Sequence, residues 1–290
     1  MFGQSLLSAF GIACTTDTDQ LFATDQSVTS TATYQLNNAT TSIPSNTYPG
    51  TASNITYAAG KFGDAAVFNG SSSYISLPSG INKNNDFSWS FWINFNSFTL
   101  YDTPIGFFMN GYTNYIDVYN VNGQLSFYDG QSRLNTPGST FATGSWYHVA
   151  VTKSSTNGRK FYVNGSEVAS NSSNSNSGSS SGGRNLLGAY SSSGNPTTAL
   201  LNVDGKIDQV RIFNTALPQA AITALYNETA TTATSASIDY QLANPNSVAY
   251  YKMSDTTDQL GNYNGTATNV NFNTEGKFGF AGNFSGSTSS

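Results

Sequence analysis

Charge is the scarcest property of this 290-residue chain: 9% of residues are charged, and the net charge is -5. No basic patch is available for nucleic acid or for an anionic membrane surface. Glutamate occurs only at Glu167, Glu228 and Glu275, so long helices would lack their usual solvent-facing residues. The single cysteine, Cys14, excludes an intrachain disulfide and leaves packing or bound ions to hold the fold. The single histidine, His148, is the one residue a nucleophile relay could use. It falls mid-strand and reads as structural. No stretch approaches the roughly 20 apolar residues of a membrane span. The apolar opening, residues 1–14, has no Lys or Arg before its apolar run, and Gly11 stands where a lipoprotein signal wants Leu; both count against a secretion signal.

Aromatics, at 13%, and abundant Asn, Ser, Thr and Gly point to a packed sheet protein. From Tyr34 to Tyr226 short alternating runs are separated by turn residues, the pattern of an all-β sandwich. Phe87, Trp89, Phe91, Ile93 and Phe95 share one strand face, with Ser88, Ser90, Asn94 and Asn96 on the other. Trp92 breaks this alternation, so the serine face must also be covered locally. Asn122-Gly123 and Asn164-Gly165 read as tight hairpin turns. The Ser/Asn/Gly run 171–183 reads as a loop that cannot offset its ordering by burial. One short helix is expected, with Thr215 as N-cap, Pro218 in its first turn, and Ile222, Leu225 and Tyr226 on one side.

The chain also repeats itself. Tyr48-Pro-Gly-Thr-Ala-Ser-Asn-Ile-Thr-Tyr57 matches Tyr263-Asn-Gly-Thr-Ala-Thr-Asn-Val-Asn-Phe272, and Gly60-Lys-Phe-Gly63 with Phe68-Asn-Gly-Ser71 matches Gly276-Lys-Phe-Gly279 with Phe284-Ser-Gly-Ser287. Upstream, Thr33-Tyr-Gln-Leu36 answers Tyr250-Tyr-Lys-Met253. The expected organisation is an N-terminal anchor and linker over 1–30, a domain over 31–228, a linker over 229–247, and the start of a second, incomplete copy over 248–290. The apolar terminus is either frayed or docked on a larger assembly. Docking would bury Phe2, Leu6, Leu7, Phe10 and Ile12.

Five blocks in order carry a resemblance to a known family: Lys61 to Gly70, Asp86 to Ile93, Trp146 to Thr152 with Phe161 to Gly165, Asp204 to Phe213, and Ala216 to Tyr226. Over 31–228 the chain resembles the laminin G-like, concanavalin A-like jelly-roll superfamily. The resemblance implies two stacked antiparallel sheets, one short C-terminal helix and a role in binding glycans or proteins. The array also resembles the tandem jelly-rolls of marine bacteriophage structural proteins. This implies a virion fibre, appendage or capsid decoration whose partners are other virion proteins, held through the N-terminal segment, and a glycan or host surface. A homo-oligomer is expected on the same ground. A secreted or cell-surface bacterial lectin or adhesin is the alternative.

Enzymes on this fold hydrolyse polysaccharides with two carboxylates, usually as Glu-x-Asp-x-x-Glu. That motif is absent, so the expected function is non-enzymatic. Asp208, by simple alternation, shares a face with Val210 and Ile212, where a carboxylate must be paired or bind a cation. The family resemblance implies calcium, with Asp204 and Asp64 as helpers. The other reading has Asp208 accepting backbone N–H bonds from a neighbouring turn, or pairing with Lys206 or Arg211. For ligand binding, sugars want aromatic faces beside amide and carboxylate groups. Tyr101, Asp102, Tyr112, Asn114, Tyr115, Asp117 and Tyr119 supply that mixture, with Tyr115, Asp117 and Tyr119 on one face opposite Ile116 and Val118.

Overall fold

A computed structural model describes residues 24–43, 46–78, 81, 86–109, 112–172, 185–191, 199–229, 237–242, 265–275 and 280–284. The chain falls into two compact units, residues 27–239 and residues 1–26 with 240–290. The strands β1 (Thr24–Thr29) and β17 (Ser237–Leu242) each straddle a sequence boundary of the larger unit and bracket its other strands.

Between them two antiparallel sheets form. One has seven strands in the order β11 (Arg133–Asn135), β10 (Gln124–Tyr128), β9 (Tyr112–Asn120), β8 (Ile105–Met109), β15 (Asn185–Leu187), β6 (Tyr74–Leu77) and β3 (Thr51–Ser53). The other has eight: β14 (Ser166–Asn171), β13 (Gly158–Val163), β12 (Trp146–Ser154), β7 (Phe87–Phe95), β16 (Asp204–Phe213), β5 (Asp64–Asn69) and β4 (Thr56–Ala59), with β2 (Ala32–Tyr34) also paired to β16.

The alternation in β7 does what its pattern requires. Phe87, Trp89, Phe91, Ile93 and Phe95 all enter the core, and Trp89 packs across to the seven-stranded sheet, 5.0 Å from the Phe107 ring and 5.8 Å from the Phe127 ring. Each such side chain removed from water contributes about 1.5–3 kcal/mol. Ile116, Val118, Leu125 and Phe127 close the core from the facing sheet.

The reverse face of β7 is covered too, as Trp92 requires. The turn at 60–63 lies over it, with the Lys61 ammonium 4.1 Å from the Trp92 ring and Phe62 edge-on to it. Tyr226 stacks on it at 5.8 Å from the short helix α1 (Gln219–Tyr226). That helix starts later than its sequence suggests. Pro218 is the N-cap, in extended conformation, and the Thr215 carbonyl instead accepts a bond from Ser88 Oγ.

Two turns show how local chemistry sets register. Asn164 and Gly165 both have positive φ, 49° and 78°, as a type I′ hairpin demands. At Asn122-Gly123 only the glycine does, and a register shift follows between Gln124 and Leu125. The loop 171–183 lies outside the described residues from 173 on, as do the anchor residues Phe2, Leu6, Leu7, Phe10 and Ile12.

In the smaller unit, β18 (Val270–Glu275) pairs with β19 (Phe280–Phe284). Its pairing follows that of β4 and β5 apart from a register shift between Asn271 and Thr274 that β4 and β5 lack. Ala59 opposite Asp64, Ala58 opposite Ala65 and Thr56 opposite Val67 correspond to Glu275 opposite Phe280, Thr274 opposite Ala281 and Asn271 opposite Asn283. Asn54 and Asn269, equivalent in the sequence repeat, both adopt positive φ, 51° and 54°.

Candidate functional site

The face of the seven-stranded sheet turned away from the core carries the strongest concentration of binding groups. β9 places Tyr115, Asp117 and Tyr119 there because Ile116 and Val118 take the core side. Cross-strand pairing adds Tyr128 opposite Tyr115, and Arg133 opposite Tyr128. The Arg133 guanidinium therefore sits among four rings, 5.0 Å from Tyr119, 5.2 Å from Tyr128 and 5.7 Å from both Tyr101 and Tyr115. Its Nη1 donates to both oxygens of Asp117, at 2.7 and 2.9 Å, and Nη2 donates to the Tyr115 hydroxyl at 3.3 Å. Tyr190 closes the far side, edge-on to Tyr115.

Burial raises the Asp117 pKa, while the bonds from Arg133 pull it down; the same pair holds the Arg133 pKa above its ordinary value despite desolvation. Burial also raises the Tyr115 phenol. Around this fixed centre two rings stay open, Tyr101 at 42% and Tyr119 at 37% exposure. Of the eight exposed large apolar side chains among the described residues, six lie on β9 or on the loops next to it in sequence or tied to its neighbours by backbone bonds: Leu100, Tyr101, Tyr119, Val121, Leu200 and Leu201.

Loop geometry brings them together. Tyr101 N–H donates to Val118 O at 2.7 Å, and Thr103 N–H to Leu201 O at 2.9 Å. Tyr101 and Leu201 hold φ of 71° and 55°, which bulky residues adopt at a cost of about 1–3 kcal/mol each. Such strain collects where a surface must present a particular side chain.

Of the seven residues expected to form a ligand site, Tyr101, Tyr115, Asp117 and Tyr119 thus meet. Asp102 lies beneath the loop rather than on it. Its Oδ2 accepts the Thr99 N–H at 3.1 Å, and burial pushes its pKa up to about 6. Asn114, one residue out of phase with Tyr115, pairs with Phe107 and is buried on the core side. The Tyr112 side chain lies outside the described residues. Arg133, Tyr128 and Tyr190 were not anticipated. Arg133 had a signal: it is the only Lys or Arg between Lys83 and Lys153.

Of the three aspartates considered for calcium, Asp64 and Asp208 both lie against Gly60, and Asp204 is set apart from Asp64. Asp204 pairs with Asn69, five positions along β5 from Asp64, about 16 Å at strand rise. Asp204 accepts bonds from Asn96 Nδ2 at 2.9 Å and Ser97 Oγ at 2.7 Å, and Asp64 accepts from Asn38. Asp208 accepts the Lys61 and Phe62 N–H groups at 2.8 and 2.9 Å. Gly60 permits that approach, since a Cβ there would stand 2.7 Å from Asp208 Oδ2.

Asp208 also faces the other way from its alternation. It pairs with Trp92, whereas Ile207 and Ile212 pair with the core residues Ile93 and Trp89. A bulge, with Gln209 at φ 50°, inserts the extra residue that flips the face. No group of three or more His, Cys, Asp or Glu converges among the described residues.

His148 is buried with Nε2 2.8 Å from Ser90 Oγ. Burial, then the charges of Arg211 and Lys61, push its pKa down to about 3. It stays neutral and structural. A groove of about 460 Å³ on the eight-stranded sheet is lined by Thr152, Lys160, Tyr162 and Gln219 among others, but Lys160 is engaged by Glu167 at 2.8 Å.

Comparison with known proteins places this geometry in context. Residues 69–223, just over half of the chain, match the family described as the Concanavalin A-like lectin/glucanases superfamily. Domain 4 of a GH43 extracellular arabinanase from Geobacillus stearothermophilus, solved in complex with arabinotriose, is similar with a TM-score of 0.56 and 26% identity, over 70% of this chain and 100% of that one. The binding domain of Paraclostridial Mosquitocidal Protein 1 gives a TM-score of 0.50 and 18% identity, over 64% of this chain and 49% of that one. A Trypanosoma rangeli sialidase mutant displaying trans-sialidase activity gives 0.50 and 14%, over 67% and 32%. These last two share the fold alone. No curated protein matches the chain.

Proposed function

The chain belongs to the concanavalin A-like lectin/glucanase superfamily, and from that premise we propose that it is a non-enzymatic carbohydrate-binding protein whose site is the open tyrosine face around Arg133. The observation that carries this reading is the pair of exposed rings, Tyr101 and Tyr119, set around Arg133, which the buried Asp117 holds. Sugar rings present apolar faces that stack on such rings. The similarity to a domain solved with arabinotriose supports an oligosaccharide ligand. Hydrolysis would need two positioned carboxylates. On this face Asp117 is held by Arg133 and Asp102 is turned inward, which supports binding without cleavage.

We extend the proposal to display on a virion, as a fibre, appendage or capsid decoration anchored by residues 1–30 and assembled as a homo-oligomer. The low charge and the repeated hairpin, with equivalent pairs beside its turn and equivalent positive-φ Asn, support an array of such domains. A secreted or cell-surface bacterial lectin is the competing location. Intact-mass analysis of the mature protein separates them: residues 1–14 retained favours the anchored form, and their removal favours secretion.

Calorimetric titration of the whole chain with arabinotriose and longer neutral oligosaccharides tests the binding itself. Saturable binding that Tyr119→Ala weakens is the expected result. Binding that ignores this substitution moves the site elsewhere, and released reducing ends would make the protein an enzyme.

A further inference from the structure

We propose that the open face selects uncharged, multi-residue glycan chains and turns acidic ones away, with Arg133 serving to position the tyrosines rather than to receive an anion. This rests on the glycan-binding reading above and narrows its ligand class. Along the seven strands of that sheet, Arg133 is the only Lys or Arg and Asp117 the only Asp or Glu. The two charges cancel in direct contact, through Nη1 to both carboxylate oxygens at 2.7 and 2.9 Å.

A carboxylated or sulfated sugar would meet a guanidinium, 24% exposed, whose charge Asp117 already neutralises, and displacing Asp117, 1% exposed, would leave that carboxylate buried and unpaired. The guanidinium is further engaged by the Tyr115 hydroxyl and by the four surrounding rings. This arrangement sets the rings before any ligand arrives, which spares ordering cost on binding.

What remains for a ligand is apolar: the exposed faces of Tyr101 and Tyr119, with Leu100, Val121, Leu200 and Leu201 exposed on the loops next to β9 in sequence or bonded to its neighbours. A surface that continues beyond one ring suits a chain of several sugars.

The test titrates the intact protein with a neutral arabino-oligosaccharide and with an oligogalacturonate, each at low salt and at about 0.5 M NaCl, where exposed charge interactions are largely screened. The neutral ligand should bind with an affinity that salt leaves within about twofold, and the oligogalacturonate should not bind. Asp117→Asn removes the cancelling charge while keeping an oxygen for Arg133. It should gain measurable oligogalacturonate binding, to within about tenfold of its affinity for the neutral chain, and lose that gain in high salt. A purely structural Arg133–Asp117 pair would give no such gain.

Native protein that binds oligogalacturonate as well as the neutral chain overturns this inference and leaves the glycan reading standing. Binding of neither overturns both. If Asp117→Asn does not fold, the native selectivity alone decides the question.

Discussion

The two sheets each carry an aromatic cluster on the face turned away from the core, and each cluster holds a cation against its rings. Around Trp92 the cation is Lys61, 4.1 Å from the ring, with Phe62, His148 and Tyr226 packed about it. Around Arg133 the rings are Tyr101, Tyr115, Tyr119 and Tyr128. The difference lies in the cover. The turn at 60–63 and α1 close the first, leaving Trp92 3% exposed, whereas Tyr101 and Tyr119 stand open at 42% and 37%. Aromatic content and charge are therefore poor guides to function on this fold. A cluster that neighbouring elements bury contributes to stability, and the same chemistry left open becomes a surface for a ligand.

Breaking the closed cluster should give the largest effect. Trp92→Ala removes the ring on which Lys61, Phe62 and Tyr226 rest, and is expected to cost about 3–5 kcal/mol. Urea unfolding measures this. Under conditions where the variant remains folded, glycan affinity should match the native protein, because no residue of the Arg133 cluster touches Trp92 in these contacts. An equal loss of binding would mean that the two faces are not independent.

A smaller effect sharpens the contrast through pH. Desolvation pushes the Asp208 carboxyl up to about 6, although the Phe62 and Lys61 N–H bonds pull it down. Between about pH 4 and 6 the folded chain thus holds a proton that the unfolded chain has released, and stability from this group falls as pH rises by about 1.4 kcal/mol per unit. His148, pushed down to about 3, acts oppositely: its contribution is lost as pH falls from about 6.5 toward 3. Asp208→Asn should therefore make the slope of stability across pH 4–6 more positive by about 1.4 kcal/mol per unit. Denaturant midpoints read across that range would show it, and an unchanged slope would remove Asp208 from the titrating groups.

How much of this could be read from residues alone follows the same division. The strand alternation of β7 and β9 was plain because period-two burial leaves a mark at every position, and it put Ile116 and Val118 opposite Tyr115, Asp117 and Tyr119 as found. The Trp92 anomaly likewise announced a covered second face. Asp208 was misplaced because one inserted residue at Gln209 reverses every later side chain, and a bulge has no consistent composition of its own. Arg133 was missed because β11 is three residues long, too short for any periodicity, and its ring partners come from other strands and loops. Its isolation among 69 residues without another Lys or Arg was the one available clue. Asn114 was included by proximity in sequence, where parity alone would have sent it to the core side.

The smallest change in stability should come from the residue with the most to say about function. Tyr119 ends β9 with its ring 37% exposed and only the Arg133 guanidinium, at 5.0 Å, against it among the ring contacts. Truncation removes one cation–π contact at an exposed site, worth about 0.5–1 kcal/mol, and opens no cavity. Tyr119→Ala should accordingly shift unfolding by no more than about 1 kcal/mol. An open ring that stacks a sugar is in the opposite position, because its whole contribution appears only when ligand covers it. A tenfold loss of glycan affinity, about 1.4 kcal/mol, is expected from the same substitution. Trp92→Ala and Tyr119→Ala thus exchange their effects, one on folding and one on binding. If Tyr119→Ala instead costs as much stability as Trp92→Ala, the open face is part of the packed structure after all and the ligand site must be sought elsewhere.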